Sequence, residues 1–209
     1  MLKLFITRHG ETVWNVEKRL QGWKDSDLTE TGVNNAIALG ESLNETVFQA
    51  VYASPSKRTI DTAKLIMRNK EVSIQLDERF REINMGDWEG RTHNEVAETD
   101  PDAFHAFWNA PHTYEALKCE NFSAVQRRAI EVIDHIQASH LNGNILIVTH
   151  TVVIKCLLAY FKNLPLEKLW DPPYIHDTSL TVIEIDDQSK IILEGDISHR
   201  RVTAYESNT

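Results

Sequence analysis

The chain has 209 residues, 42% hydrophobic and 25% charged, with 22 basic against 31 acidic side chains for a formal net charge of −9. That length suffices for one compact domain with a large core, and the acidic balance repels nucleic acid and anionic lipid at long range, so no nucleic-acid partner and no membrane partner is expected. Every apolar run is too short to span a bilayer, and the Met1 end lacks the long apolar core of a secretory signal, which points to the cytoplasm. The two cysteines, Cys119 in a polar stretch and Cys156 in an apolar one, make no Cys-x-x-Cys pair. Their spacing suits a reducing compartment, with Cys156 in the core and Cys119 an exposed thiol, and no metal or other cofactor is expected.

In chain order, residues 2–7 (Leu-Lys-Leu-Phe-Ile-Thr) read as a mostly apolar strand that ends at Arg8-His9-Gly10-Glu11-Thr12. Asp25-Ser26-Asp27 reads as a solvated turn. A helical pattern at 31–43 precedes a second strand at 50–54, and a helix at 56–69 leads to a short strand at 72–76. Arg81-Glu82-Ile83-Asn84-Met85-Gly86-Asp87-Trp88-Glu89-Gly90 follows, its glycines breaking regular structure. The stretch from about 92 to 122 carries Phe104, Phe107, Trp108 and Tyr114 without a clean period, and reads as a helical, aromatic excursion covering a site. A helix at 123–140, an apolar strand at 144–149 and a helix at 152–161 come next. Trp170-Asp171-Pro172-Pro173-Tyr174 reads as a rigid loop, and residues 177–186 and 190–196 as a hairpin around Asp186-Asp187-Gln188-Ser189. Alternating strands and helices predict a three-layer α/β fold: a mainly parallel central sheet, made mixed by the hairpin, with helices on both faces. Without repeats or linkers, residues 1–209 read as a single domain.

Arg8 and His9 follow the first strand, Arg58 the second and His150 the third, at the carboxyl edge where open α/β sheets bind ligands. A lone arginine there is ordinarily a solvated loop charge, and a lone histidine is ordinarily structural. Three strands delivering such groups to one rim is a stronger pattern. Guanidinium forks match phosphate oxygens, and a neutral His9 beside them is a candidate nucleophile, with Gly10 letting the backbone approach the ligand. Transfer to His9 also needs an acid for the departing oxygen. Glu82 is the candidate, with Glu89, Asp87 and Glu11 competing on composition. The remaining histidines show no metal-ligand spacing, and His176 is the one placed to reach toward substrate.

These residues resemble the histidine phosphatase superfamily, the phosphoglycerate mutase-like fold, motif by motif over about residues 4–184. Arg8 to Thr12 continues into Trp14-Asn15 and Gln21-Gly22, and Ser54-Pro55-Ser56-Lys57-Arg58-Thr59-Ile60-Asp61-Thr62-Ala63 matches a second block. The middle, from Arg81 to Gly90 and through 104–114, most resembles the bacterial broad-specificity phosphatase branch. The resemblance implies that His9 is the phosphorylated nucleophile, Arg8 and Arg58 bind the phosphoryl group, Glu82 donates the proton and His150 completes the pocket. It also implies that Asn15, Gln21 and Gly22 contribute to phosphate or substrate binding, that the substrate is a small phosphorylated molecule, and that no metal takes part.

Two departures stand out. Thr151 occupies the place of the usual glycine after the second histidine, so its hydroxyl alters or supplements a backbone amide contact. Cys119-Glu120-Asn121 replaces the more frequent Gly-Glu-Ser. The implied activity is phosphomonoester hydrolysis. A mutase is the rival, although Ile83-Asn84-Met85-Gly86 stands where such enzymes read Arg-His-Tyr-Gly, and a noncatalytic phospholigand-binding protein is a third reading that the intact residue set weighs against. Oligomeric state has no signature in the sequence.

Overall fold

The computed structural model describes residues 1–68, 70–115 and 119–200. Strand β1 (Leu2–Arg8) is followed by the one-turn α1 (Val13–Val16) and by α2 (Glu30–Ser42). Then come β2 (Phe48–Ala53), α3 (Lys57–Ile66) and the short β3 (Ile74–Leu76). The excursion resolves into α4 (His93–Thr99) and α5 (Pro101–Asn109), and α6 (Phe122–Ser139), β4 (Gly143–Thr149) and α7 (Thr151–Phe161) follow. Strands β5 (Leu180–Ile185) and β6 (Ser189–Asp196) are the last two elements among the described residues.

The six strands form one sheet in the order β3-β2-β4-β1-β5-β6. The first four run parallel and β5 and β6 antiparallel, which is the mixed sheet expected from the hairpin. Because successive side chains of a strand alternate faces, each strand supplies two cores. Leu4, Ile6, Ala50, Tyr52, Ile145 and Ile147 pack with α6 and α7 on one face. Val51, Ala53, Leu146 and Val148 pack with Leu39 and Leu43 from α2 and its cap and Ala63 and Ile66 of α3 on the other. Both faces are therefore covered, which is why the central strands read as apolar runs and not as alternating ones.

Local chemistry sets the element ends. Thr29 caps α2 by accepting from Gly32 N, and Thr92 and Glu95 form a reciprocal capping box on α4. Asn121 accepts from Ala124 N to cap α6, so one departure from the family pattern keeps a capping side chain. The predicted strand at 72–76 shortens to three residues. The predicted strand at 177–186 starts only at Leu180, because Thr178 turns the chain with φ of 50° and donates its N–H to Arg8 O. The helix predicted to reach Asn69 ends at Ile66 with Met67 as its cap, while Asn69 itself, residues 116–118 of the excursion and residues 201–209 of the single-domain reading lie outside the described residues. Cys156 is buried in the core, whereas Cys119, expected to be exposed, is half-buried with its thiol against the Tyr114 hydroxyl.

The parallel register brings the strand ends to one level. Arg8 of β1 lies opposite Thr149 of β4, and Ala53 of β2 opposite Val148. The ladders continue one residue further, with His9 N donating to Thr149 O (3.0 Å) and Ser54 N to Val148 O (3.0 Å).

Candidate active site

His9, His150, Ser54 and the first turn of α3 meet at this rim because their strands end in register. His9 is 4% exposed, and its Nδ1 lies 2.8 Å from Gly10 O. A carbonyl only accepts, so the Nδ1 atom carries the hydrogen and Nε2 keeps a lone pair. Burial, then the charges of Arg58 and Arg8, push the ring well below its ordinary value of 6.5, against a smaller opposing effect of the Gly10 bond. The imidazole is neutral at ordinary pH, with one nitrogen free to attack.

Arg58 is 1% exposed and held from several elements at once. Its Nη1 donates to Lys24 O (2.6 Å) and Asp25 Oδ1 (2.7 Å), and its Nη2 to Gly22 O (2.8 Å) and His150 Nδ1 (3.1 Å). Asp25, expected in a solvated turn, is instead the counter-charge of this buried arginine. It also accepts from Lys57 N (2.9 Å). Gly22 offers its carbonyl from a left-handed backbone (φ 51°), where an added Cβ would meet the Glu89 carboxylate at 2.3 Å. Arg8 donates to Ile175 O (2.9 Å).

The His150 ring stands 5.3 Å from that of His9, centre to centre. Since arginine can only donate, His150 Nδ1 accepts, so Nε2 carries the hydrogen and donates to Ser54 Oγ (2.8 Å). Both nitrogens are thus used within the protein. The fully buried ring braces Arg58 from behind and does not line the cavity.

Glu82 is 8% exposed, with Oε1 accepting from Ile83 N (2.9 Å) and Oε2 from Val152 N (3.3 Å) in the first turn of α7. Burial raises its carboxyl above the ordinary 4.5, while these amides and the charges of Arg58 and Arg128 oppose the rise. Its competitors separate by position. Glu89 is occupied by Trp23 N (2.9 Å) and Met85 N (3.2 Å), and Asp87 is exposed. Glu11 lines the cavity but accepts from Thr29 Oγ1 at 2.6 Å.

His9, Arg8, Arg58 and Glu82 open on a cavity of about 800 Å³, which Asn15, Gln21, Gly22 and Thr151 also line. Asn15 turns its Oδ1 to Thr12 N (3.1 Å) and Thr12 Oγ1 (3.0 Å) in a capping box. Gln21 Oε1 accepts from Ser26 Oγ (3.3 Å). Gly10 was expected to admit a ligand, yet its missing side chain is needed elsewhere: a Cβ there would lie 2.7 Å from Gly32 O of α2. The far wall is aromatic, with Phe107 and Trp108 of α5, Trp170 and Tyr174, and His176 lines it as well.

Several supporting residues carried no reading in the sequence. Arg128 and Trp23 hold the Glu82 carbonyl, and Lys155, buried in the middle of α7, lines the cavity and donates to the carbonyls of Asp171 and Pro173. A signal exists for two of them. Arg128 falls at helical spacing between buried Val125 and Val132, and Lys155 interrupts an otherwise apolar stretch, which are places where a charge needs a partner.

Residues 4–196 match the family described as the histidine phosphatase superfamily, branch 1. The chain is 31% identical over 198 residues to phosphoserine phosphatase 1 of Hydrogenobacter thermophilus, covering 95% of this chain and 93% of that one. It is 30% identical over 169 residues to the adenosylcobalamin/alpha-ribazole phosphatase of Salmonella typhimurium, covering 81% and 84%. Among solved structures, Bacillus stearothermophilus YhfR superposes with a TM-score of 0.94 at 48% identity over 95% of this chain and 99% of its own.

Proposed function

The chain belongs to the histidine phosphatase superfamily and is a phosphatase, and on that premise we propose that it hydrolyses small phosphomonoesters through a phosphohistidine on His9. The observation that carries this reading is a neutral, tautomerically fixed imidazole beside the buried Arg58 and the half-buried Arg8, sharing one cavity with a carboxyl raised by burial.

In the first step His9 Nε2 attacks phosphorus as the ester P–O bond breaks, and the departing oxygen takes the proton of Glu82. The Nδ1–H bond to Gly10 O strengthens as positive charge appears on the ring. In the second step the Glu82 carboxylate takes a proton from water, whose oxygen attacks phosphorus and releases His9 and inorganic phosphate. Arg8 and Arg58 neutralise the phosphoryl oxygens throughout, and the buried Nε–H of each has no protein acceptor among the described residues. His150 keeps the Arg58 fork in place, and Asn15, Gln21, Gly22 and Thr151 line the substrate's path. No step calls for a metal.

In this reading residues 1–209 are one domain whose aromatic excursion, about 92–122, covers the site, with Phe107 and Trp108 facing the substrate's alcohol portion. A cytoplasmic setting fits two cysteines outside any disulfide, and no helix among the described residues is long and apolar enough to cross a membrane. Phosphoserine and α-ribazole phosphate head the candidate substrates because relatives are named for them.

The test is a panel of phosphorylated metabolites followed for both phosphate release and isomerisation, with a denaturing quench during turnover. Phosphate release with an acid-labile, base-stable phosphoenzyme that is absent in His9→Ala is expected. Isomerisation alone would make the protein a mutase, and tight binding without turnover would make it a binder.

A further inference from the structure

The Glu82 loop has no regular structure of its own, yet a general acid must be held close to its productive position. Besides Trp23, what holds it is Arg128 of α6 together with Glu120 just before that helix. The Arg128 guanidinium donates through Nη1 to the carbonyls of Arg79 (2.8 Å) and Arg81, and through Nη2 to that of Glu82 (3.0 Å). Its remaining edge meets Glu120 in a two-pronged pair, Nε to Oε1 at 2.8 Å and Nη2 to Oε2 at 2.9 Å. Glu120 in turn accepts from Asn84 N (2.9 Å), and its own N–H donates to Asn84 O (3.1 Å), so the pair grips the chain on both sides of Glu82.

We propose that Arg128, fixed by Glu120, is the positioning residue of the general acid, setting the place of the Glu82 carboxyl through the backbone of residues 79–84. This rests on Glu82 being the acid. Three carbonyls within four residues converge on one planar fork, a pattern that a surface arginine making ordinary ion pairs does not show. The neighbouring Arg127 is exposed. Arg128 has no place in the cavity lining, so it acts on the reaction only through what it holds. Lysine cannot reproduce the arrangement, because a single ammonium cannot span the carbonyls and both carboxylate oxygens together.

The experiment compares wild type, Arg128→Lys, Arg128→Met, Glu82→Gln and the double variant Glu82→Gln/Arg128→Lys. Each is assayed on p-nitrophenyl phosphate, whose leaving group needs little protonation, and on an alkyl phosphate, whose leaving group needs it. Arg128→Lys is expected to lower kcat on the alkyl ester by about ten- to a hundredfold, with much less effect on the aryl ester and an unchanged KM for both. The double variant should be no slower on the alkyl ester than Glu82→Gln alone, since a positioning residue has nothing left to position.

Equal loss on both esters, or additive losses in the double variant, would overturn the proposal. Arg128→Met serves as a check on the fork, and if it fails to fold, Glu120→Gln replaces it as a variant that loosens the fork but keeps the charge on Arg128. If Glu82→Gln itself shows no leaving-group dependence, the acid assignment fails, and that result is separate from any outcome at Arg128.

Discussion

Replacing Glu82 by glutamine removes the transferable proton and leaves the shape of the side chain nearly intact. The structure gives the two costs separately. Glutamine has one oxygen for the two amides that now donate to the carboxyl, so it keeps the shorter bond from Ile83 N (2.9 Å) and turns its NH₂ toward Val152 N, losing the 3.3 Å contact. One lost bond of this kind costs about 1 kcal/mol, and the fold survives it. The chemical cost is larger: a positioned general acid contributes roughly a hundred- to ten-thousandfold, about 3–5 kcal/mol of barrier. That cost falls on alkoxide leaving groups and nearly vanishes for nitrophenolate. The assay is kcat/KM across a series of aryl and alkyl phosphates. Wild type should depend weakly on the basicity of the leaving alcohol and Glu82→Gln steeply, with the two converging at the nitrophenyl end. Parallel lines, the variant slower by the same factor throughout, would remove the acid role from Glu82 and pass it to another carboxylate of the cavity wall, Glu11 or Asp177.

The active form needs His9 neutral and Glu82 protonated, so kcat/KM should fall on the acid side only well below pH 6.5, because burial and the arginines hold the ring neutral down to there, and on the alkaline side at a pH displaced upward from 4.5, where the buried Glu82 ionises. Glu82→Gln should lose the alkaline limb and keep the acid one. Stability follows His9 and His150 with a definite sign. Both rings are pushed well below 6.5 when folded, so the unfolded chain alone takes up protons as pH falls through 6.5, and stability drops with acid. Each ring costs about 1.4 kcal/mol per pH unit in that window, and a urea midpoint that stays level there would show that the rings are charged in the fold. Arg58→Lys keeps the charge but cannot reach Lys24 O, Asp25, Gly22 O and His150 together, so inhibition by inorganic phosphate should weaken by about tenfold. An unchanged inhibition constant would take Arg58 out of the phosphate clamp. Activity should persist in excess chelator, and inhibition reversed by a divalent ion would replace this scheme with a metal-assisted one.

The sheet and the rim were legible in the sequence because they depend on neighbours along the chain. An apolar run covered on both faces reads as a buried strand, and a residue directly after it lies at the carboxyl edge wherever the strand ends up. Arg8, His9 and His150 needed no more than that, Arg58 follows the second strand within the first turn of the next helix, and the hairpin read at residues 177–186 and 190–196 announced the antiparallel edge. Only the tertiary structure decided who holds whom. Asp25 faces Arg58 across 33 residues and Arg128 reaches the Glu82 carbonyl across 46. The same register that lines up the strand ends places His150 behind Arg58 instead of in the cavity wall, and the approach of α2 makes Gly10 serve Gly32. Such partnerships are chosen by packing after the chain has collapsed, when a buried charge must find a counter-group within hydrogen-bond reach, and no local pattern of residues records which one it finds.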